Sequence, residues 1–157
     1  MRIPAALGAA AALALAACGD GNNNDKKNQL DTAMSGTWAG TATLTIEGVA
    51  TPTSFPGELD VAVSGDQATV SKLCLDAAAS GSVVAKGDGS AASWNGTQAC
   101  PAIDFEDCTG VVMTFKTVNL ALAGTTLTAT GTGTAEGCSL TKGFTITLTG
   151  TKAGNPQ

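Results

Sequence analysis

The side chains in this chain that could do chemistry are five cysteines and a few carboxylates. Histidine and tyrosine are absent from its 157 residues, and the single arginine is Arg2. Without histidine, the chain cannot form a Ser-His-Asp triad, a Cys-His pair or the usual His-ligated zinc, copper and iron sites. The net charge of -5 argues against a nucleic-acid partner, which would require a basic surface. The composition therefore predicts no cofactor and no metal.

The carboxylates Asp104, Glu106 and Asp107 cluster between Cys100 and Cys108. Paired carboxylates can bind a cation or act as a general acid and base. A solvated acidic loop is the simpler interpretation of the same pattern. No G-x-S-x-G motif offers an activated serine. The sequence therefore predicts no catalytic residue, and we expect that the protein is not an enzyme.

The first twenty residues indicate export. Met1 and Arg2 precede an apolar run from Ile3 to Ala17, which is typical of a signal peptide over 1–17. Leu15-Ala16-Ala17-Cys18 resembles the lipobox of bacterial lipoproteins. That resemblance implies that the Cys18 sulfur carries a diacylglyceryl group and that the new amino terminus is acylated, which anchors the protein in a membrane. With Gly19 in the next position, it also implies sorting to the outer membrane of the cell envelope.

The polar segment that follows is rich in Asn and Asp and is expected to be a disordered tether over 18–35. From Gly36 the chain alternates small or apolar residues with Thr and Ser, the period of half-buried antiparallel strands. Eight strands are predicted within one all-β domain over 36–153. The sixth, Thr109 to Leu122, shifts its parity near Lys116-Thr117, which predicts a β-bulge there. Asn95-Gly96 is a hairpin signal that could split the fifth strand.

Four cysteines remain once Cys18 is set apart. An even number of cysteines in an exported chain indicates two disulfides, with three possible connectivities. Zinc is the competing interpretation, but the chain has no C-x-x-C pair to support it. If the strands alternate in direction, all four cysteines lie at one end, opposite Trp38. Cys108 and Cys138 are nearly equidistant from the turn at 123–124, so we favour Cys108–Cys138 with Cys74–Cys100. The alternative joins Cys100 to Cys108 and Cys74 to Cys138.

Eight sequential strands fit an up-and-down barrel or a two-sheet β-sandwich. Gly36-Thr37-Trp38, at the start of the first strand, resembles the G-x-W signature of lipocalins and other calycins. In that family the tryptophan plugs the closed end of an up-and-down barrel. The resemblance implies a lipocalin-like barrel here, with Trp38 at its base.

Two functional classes remain open from the sequence. Small residues at inward positions predict interior space for a small apolar ligand, with Trp38, Ala42 and Trp94 as candidate binding residues. The inward positions held by small residues are Gly40, Ala42, Ala92 and Gly96. The alternative is a structural envelope lipoprotein that binds no ligand and contacts envelope protein or polysaccharide through its threonine-rich faces.

Overall fold

The computed structural model describes residues 28–75, 81–105 and 108–153, and within these ranges the chain is almost entirely β-structure. A single turn of 3-10 helix, Thr32–Met34, precedes the strands, and no helix of this part of the chain is long and apolar enough to cross a membrane. The strands are β1 (Gly36–Ile46), β2 (Thr53–Ser64), β3 (Gln67–Ser71), β4 (Val83–Asp88), β5 (Ala91–Ala99), β6 (Ile103–Phe105), β7 (Cys108–Ala123), β8 (Thr126–Gly137) and β9 (Leu140–Lys152).

Eight of these strands form a closed, hydrogen-bonded ring, which we call the barrel. Its order is β1-β2-β3-β4-β5-β7-β8-β9, every pairing is antiparallel, and β9 returns to pair with β1. The short strand β6 pairs only with the outer part of β7. The all-β, up-and-down architecture is thus confirmed. The two-sheet sandwich is not formed, because β5 pairs with β7 and β9 pairs with β1, which leaves no boundary between two sheets.

Alternation along the strands separates an apolar interior from a threonine-rich exterior. In β1, Ala42 and Leu44 are buried, whereas Thr41 and Thr45 are exposed. The exterior threonines also align across strands: the rows set by pairing register are Thr41-Thr149-Thr128, Thr43-Thr147-Thr130 and Thr45-Thr145-Thr132. β-branched residues suit such half-exposed positions, because their stiff side chains pack well on a pleated surface.

The parity shift in the long strand is a β-bulge, as predicted. In the pairing of β7 with β8, Phe115 lies opposite Gly133 and Thr117 opposite Thr132, so Lys116 has no partner in β8. The bulge lets Phe115 and Val118 both point inward, although they are three residues apart. β5 is not split at Asn95-Gly96. It continues to Ala99 with a shift of register between Asn95 and Gln98, opposite the bulge in β7.

Trp38 closes one end of the barrel. Its indole is 1% exposed, and Nε1 donates a hydrogen bond of 2.8 Å to the carbonyl of Met34. The Nζ atom of Lys152 lies 5.5 Å from the centre of the same ring, within the range of a cation–π contact. Leu30 and Met34 are buried beside this plug. The 3-10 turn therefore acts as the floor of the barrel.

Leu30 and Met34 lie within the segment 18–35 that the sequence predicts to be a disordered tether. Because both side chains are buried, the end of that segment belongs to the folded domain. The Leu30 amide donates to the Gly65 carbonyl, and the Asp31 amide donates to that of Gly89. Both glycines belong to turns at the closed end. Two apolar residues in a polar segment are too few to show periodicity. Their burial nevertheless fixes this part of the chain to the closed end of the barrel. Residues 18–27, with Cys18, lie outside the described residues.

The two disulfides join the cysteines in the favoured arrangement, Cys74 to Cys100 and Cys108 to Cys138, with Cα–Cα distances of 5.6 and 5.8 Å. All four residues follow or begin strands at the end of the barrel away from Trp38. Strand direction together with the nearly equal spacing of Cys108 and Cys138 from the turn at 123–124 therefore predicted the correct connectivity.

Replacing Trp38 with Phe tests the floor. The variant loses the indole donor and leaves the buried Met34 carbonyl without its partner, so we expect a loss of about 1–3 kcal/mol in the free energy of unfolding. Urea denaturation followed by far-ultraviolet circular dichroism measures this loss. The matched control is Trp94→Phe, at a half-buried tryptophan on the wall, for which we expect a smaller loss. Equal losses in the two variants would contradict the role of the indole hydrogen bond.

Candidate ligand cavity

A cavity of about 440 Å³ lies inside the half of the barrel away from Trp38. Its walls come from β1, β2, β7, β8 and β9 and from the segment Lys72–Leu75 that follows β3. Most of the lining is aliphatic or aromatic. The apolar residues that line it are Ala42, Phe55, Leu59, Leu73, Leu75, Phe115, Val118, Ala129, Ile146 and Leu148.

The space exists because small residues share one inward row on three neighbouring strands. Pairing register places Ala42 of β1, Leu148 of β9 and Ala129 of β8 in one inward row. Two alanines in such a row leave volume that larger side chains would fill. Phe115 borders this space: it lies against Gly131, where an added Cβ would come within 2.6 Å of the Phe115 ring.

Phe115 is also held from the other side. Its ring packs edge-to-face on Phe144, with 5.1 Å between the ring centres. Contacts of this geometry are favourable beyond the burial of area alone. Phe115 is 2% exposed, so it forms a fixed wall of the cavity.

Of the four small residues that the sequence predicts to point inward, only Ala42 lines the cavity. At Gly40, an added Cβ would lie 2.0 Å from the Thr149 carbonyl oxygen, so this glycine permits close approach of β9 and contributes no interior space. At Gly96, an added Cβ would lie 2.5 Å from the Trp94 ring, which already covers the position. Ala92 is buried away from the cavity lining.

The two tryptophans are placed differently from the expected ligand contacts. Trp38 does not line the cavity, but Leu59, its register partner in β2, does, so the cavity ends just above the floor. Trp94 is half-buried on β5 and also lies outside the lining. Of the three candidate binding residues, the structure places only Ala42 at the cavity.

Sequence reasoning missed most of the lining. The inward parity of β2, β7 and β9 carried a signal for Leu59, Val118 and Leu148. Leu73 and Leu75 carried none, because they follow β3 in irregular structure and reach the cavity only through the tertiary fold.

The cavity reaches the surface through the side of the barrel, beside β2. Residues Thr53–Leu59 of β2 pair with β1, whereas the pairing of β2 with β3 begins at Asp60 and ends at Ser64. Next to Thr53–Leu59, the wall is formed by Lys72–Leu75 instead of a strand. Glu58 and Lys72 both border the cavity at this opening, which we call the side opening.

Three charged residues lie together at the side opening. The Lys72 ammonium forms ion pairs with Glu58 and with Asp60, the latter at 2.9 Å. A hydrogen bond from the Thr37 hydroxyl, and then one from Lys72, hold the pKa of Asp60 below its ordinary value. The hydrogen bond to Glu58, and then that to Asp60, raise the pKa of Lys72. Lys72 and Asp60 are therefore both ionised at neutral pH.

The acidic cluster near Cys108 has a local structural contact. Asp104 of β6 accepts a hydrogen bond of 3.0 Å from the Gly110 amide of β7 and so links these two strands. Glu106 and Asp107 lie outside the described residues. Within the described ranges, no group of three or more Cys, Asp or Glu side chains is placed to hold a metal ion.

Ser139 and Lys142 have the S-x-x-K spacing that brings a serine and a lysine together on one face of a helix. Here Ser139 lies in the turn after β8, at a φ of 61°, and Lys142 lies in β9. The turn places Ser139 outside β9, and the helical spacing that brings the two side chains onto one face is absent from residues 139–142. This hairpin therefore does not provide the geometry of a serine–lysine dyad.

One of the two disulfides belongs to the cavity wall. Cys74 lines the cavity, and its bond to Cys100 ties the Lys72–Leu75 segment to the end of β5. Gly81 packs against the same bridge, since an added Cβ there would lie 2.6 Å from Cys74 Sγ. The Cys108–Cys138 bridge lies outside the lining.

The bridges can be compared directly, because the paired cysteines are 26 and 30 residues apart. Chain entropy gives each about 3–4 kcal/mol of stabilisation. We expect the double variants Cys74→Ser/Cys100→Ser and Cys108→Ser/Cys138→Ser to lose similar stability in urea. Only the first should weaken binding of the neutral dye N-phenyl-1-naphthylamine, measured where both variants remain folded, because it frees the cavity wall. Equal weakening of dye binding in both would show that the Cys74–Cys100 bridge has no special part in the site.

Comparison with known proteins gives this chain no relative: no family model, no curated protein and no solved structure matches it.

Proposed function

We propose that this protein is a lipoprotein of the bacterial envelope, anchored through Cys18, that holds a small apolar molecule inside its barrel. The observation that carries the proposal is the apolar cavity of about 440 Å³ lined by the row Ala42, Leu148 and Ala129. Ligand cavities are typically ~300–1,000 Å³ and mainly apolar, with few polar groups at the mouth.

The energetics of an empty apolar space support a ligand. Unfilled apolar volume in a protein lowers stability roughly in proportion to its size. A ligand that fills the cavity replaces the missing contacts and stabilises the folded state by mass action. The walls are built to persist without collapse, since Phe115 is held between Gly131 and Phe144 and the Cys74–Cys100 bridge holds the opposite wall.

The path of the chain fits an anchor at the amino terminus. Gln29 meets the closed end, where its carbonyl accepts a hydrogen bond of 3.0 Å from the Gly89 amide. The residues from Cys18 to Gln29 can span at most roughly 40 Å when fully extended. A lipid on Cys18 would therefore keep the closed end of the barrel within roughly 40 Å of the membrane surface. The outer membrane is the compartment that the lipobox resemblance and Gly19 favour.

A second candidate function rests on the exterior. The threonine rows of β1, β9 and β8 form an uncharged face whose hydroxyls are in register, as in the row Thr43-Thr147-Thr130. Such a face could contact an envelope protein or polysaccharide, and the barrel would then be a scaffold without a ligand. Dye binding separates the two candidates.

Filling the cavity should abolish ligand binding. The neutral dye N-phenyl-1-naphthylamine is expected to bind the purified protein saturably, and Ala42→Phe should weaken that binding at least about tenfold, because the new ring occupies the cavity. The matched control is Ala121→Phe, on the exposed face of β7, which should bind as the parent does. Circular dichroism of both variants checks that the fold is retained.

A second variant shows whether a loss of dye binding in Ala42→Phe comes from filling the cavity or from a disrupted wall. Because Ala42 lies close to Gly57, Phe at this position could disrupt the wall, so Ala129→Leu provides a second, smaller filling of the same row. If the parent binds no dye, or if both filling variants bind it unchanged, the cavity proposal fails and the threonine face becomes the leading candidate.

The anchor is tested at Cys18. In the bacterial host, the parent protein should take up radiolabelled palmitate and partition into detergent, whereas Cys18→Ser should do neither, because the acylated sulfur is missing. Cys108→Ser, which also removes one cysteine, is the control and should still be labelled. Labelling that survives Cys18→Ser would contradict the proposed anchor.

A further inference from the structure

We infer that the side opening beside β2 disfavours ligands with an anionic head group, so that the cavity prefers apolar molecules whose polar end is uncharged or cationic. This inference rests on the proposed function, since it concerns the ligand of the same cavity. It depends on where the cavity opens and on which charges stand there.

The position of the opening follows from the strand lengths. β3 has only five residues and ends at Ser71, whereas its neighbour β2 has twelve. The part of β2 beyond β3 is thus paired on one side only, and the chain after Ser71 leaves the sheet through Lys72, which has a φ of 63°. Pro56 lies in this stretch, which pairs with β1 but not with β3, and proline is confined to such edge positions because it cannot donate to a second strand.

Among the residues that the structure describes, the charges at the opening do not cancel. One lysine, Lys72, contacts two carboxylates, Glu58 and Asp60, so the formal charge of the group is 1 - 2 = -1. Glu58 and Lys72 border the cavity itself. Asp60 is fixed from behind by the Thr37 hydroxyl at 2.7 Å. The group is therefore an ordered, net negative border around an apolar space.

The arrangement has opposite consequences for the two signs of charge. A ligand carboxylate could reach the Lys72 ammonium only by displacing Glu58 or Asp60, and it would then lie near the displaced carboxylate. An ammonium would meet two carboxylates without breaking a bond, and a hydroxyl could donate to either. The carboxylates already at the opening thus disfavour anions, whereas the apolar lining contacts the hydrocarbon chain of each ligand in the same way.

Three probes of equal chain length test this: dodecanol, dodecylammonium and dodecanoate, each used below its aggregation concentration to displace N-phenyl-1-naphthylamine from the purified protein. We expect dodecanoate to bind about fivefold or more weakly than dodecanol, the scale of one to two exposed charge contacts, and dodecylammonium to bind at least as well as dodecanol. The differences should diminish as salt is raised from 0.02 to about 0.5 M, because exposed charges are screened.

Charge variants locate the effect. Glu58→Gln/Asp60→Asn makes the opening positive and should raise the ratio of dodecanoate to dodecanol affinity above that of the parent. Asp66→Asn/Asp88→Asn changes the net charge by the same amount at the closed end and should leave the ratio unchanged. Equal dodecanoate and dodecanol affinities in the parent, or equal shifts in both variants, would overturn the inference. Failure of all three probes and the dye to bind would overturn the proposed function itself.

Discussion

The structure depends on how eight strands of small residues fill the inside of a closed ring. A ring of this size is just wide enough for its side chains to meet across the interior. The size of each inward side chain therefore determines whether the interior at that level is filled or empty. Near the closed end, Trp38 and Met34 supply the bulk, and the indole is satisfied by a backbone carbonyl instead of water. Farther from the closed end, the small side chains of Ala42 and Ala129 fill little of the interior, and the cavity begins there. One barrel thus has a solid half and a hollow half.

The hollow half is also where the ring has least backbone pairing. The strands β3 and β4 are short, so part of the wall between β2 and β5 is built by the segment after β3. Covalent and ionic contacts take the place of ladder hydrogen bonds there: Cys74 is bound to Cys100, and Lys72 is bound to Glu58 and Asp60. Fixing this segment retains the cavity and, within the described residues, leaves the side opening next to it. A continuous strand in the same place would have filled the side opening.

Much of this architecture could be predicted from the sequence, because alternation in a strand is a local property. The bulge at Lys116 appeared as a change of parity, and the disulfide pairing followed from strand direction together with the nearly equal distances of Cys108 and Cys138 from their hairpin turn. Contacts that join distant segments carried no such signal. Leu30 looked like part of a tether, yet its amide donates to the Gly65 carbonyl, which lies far along the sequence. Ala42 was found as a cavity residue because its neighbours in β1 already fixed its inward side.

The glycines show why small size in a sequence is an ambiguous signal. Gly40 and Ala42 are adjacent inward positions on the same strand and seemed equivalent, but the backbone of β9 occupies the place of a Gly40 side chain. The absence of a side chain there lets two strands approach, so it makes the wall tighter. Ala42 lies one inward row away, in the row that also holds Leu148 of β9 and Ala129 of β8, and all three residues line the cavity. Interior volume therefore depends less on how many small residues a barrel contains than on whether they share a row, and here the row containing Ala42 and Ala129 determines where a ligand can be held.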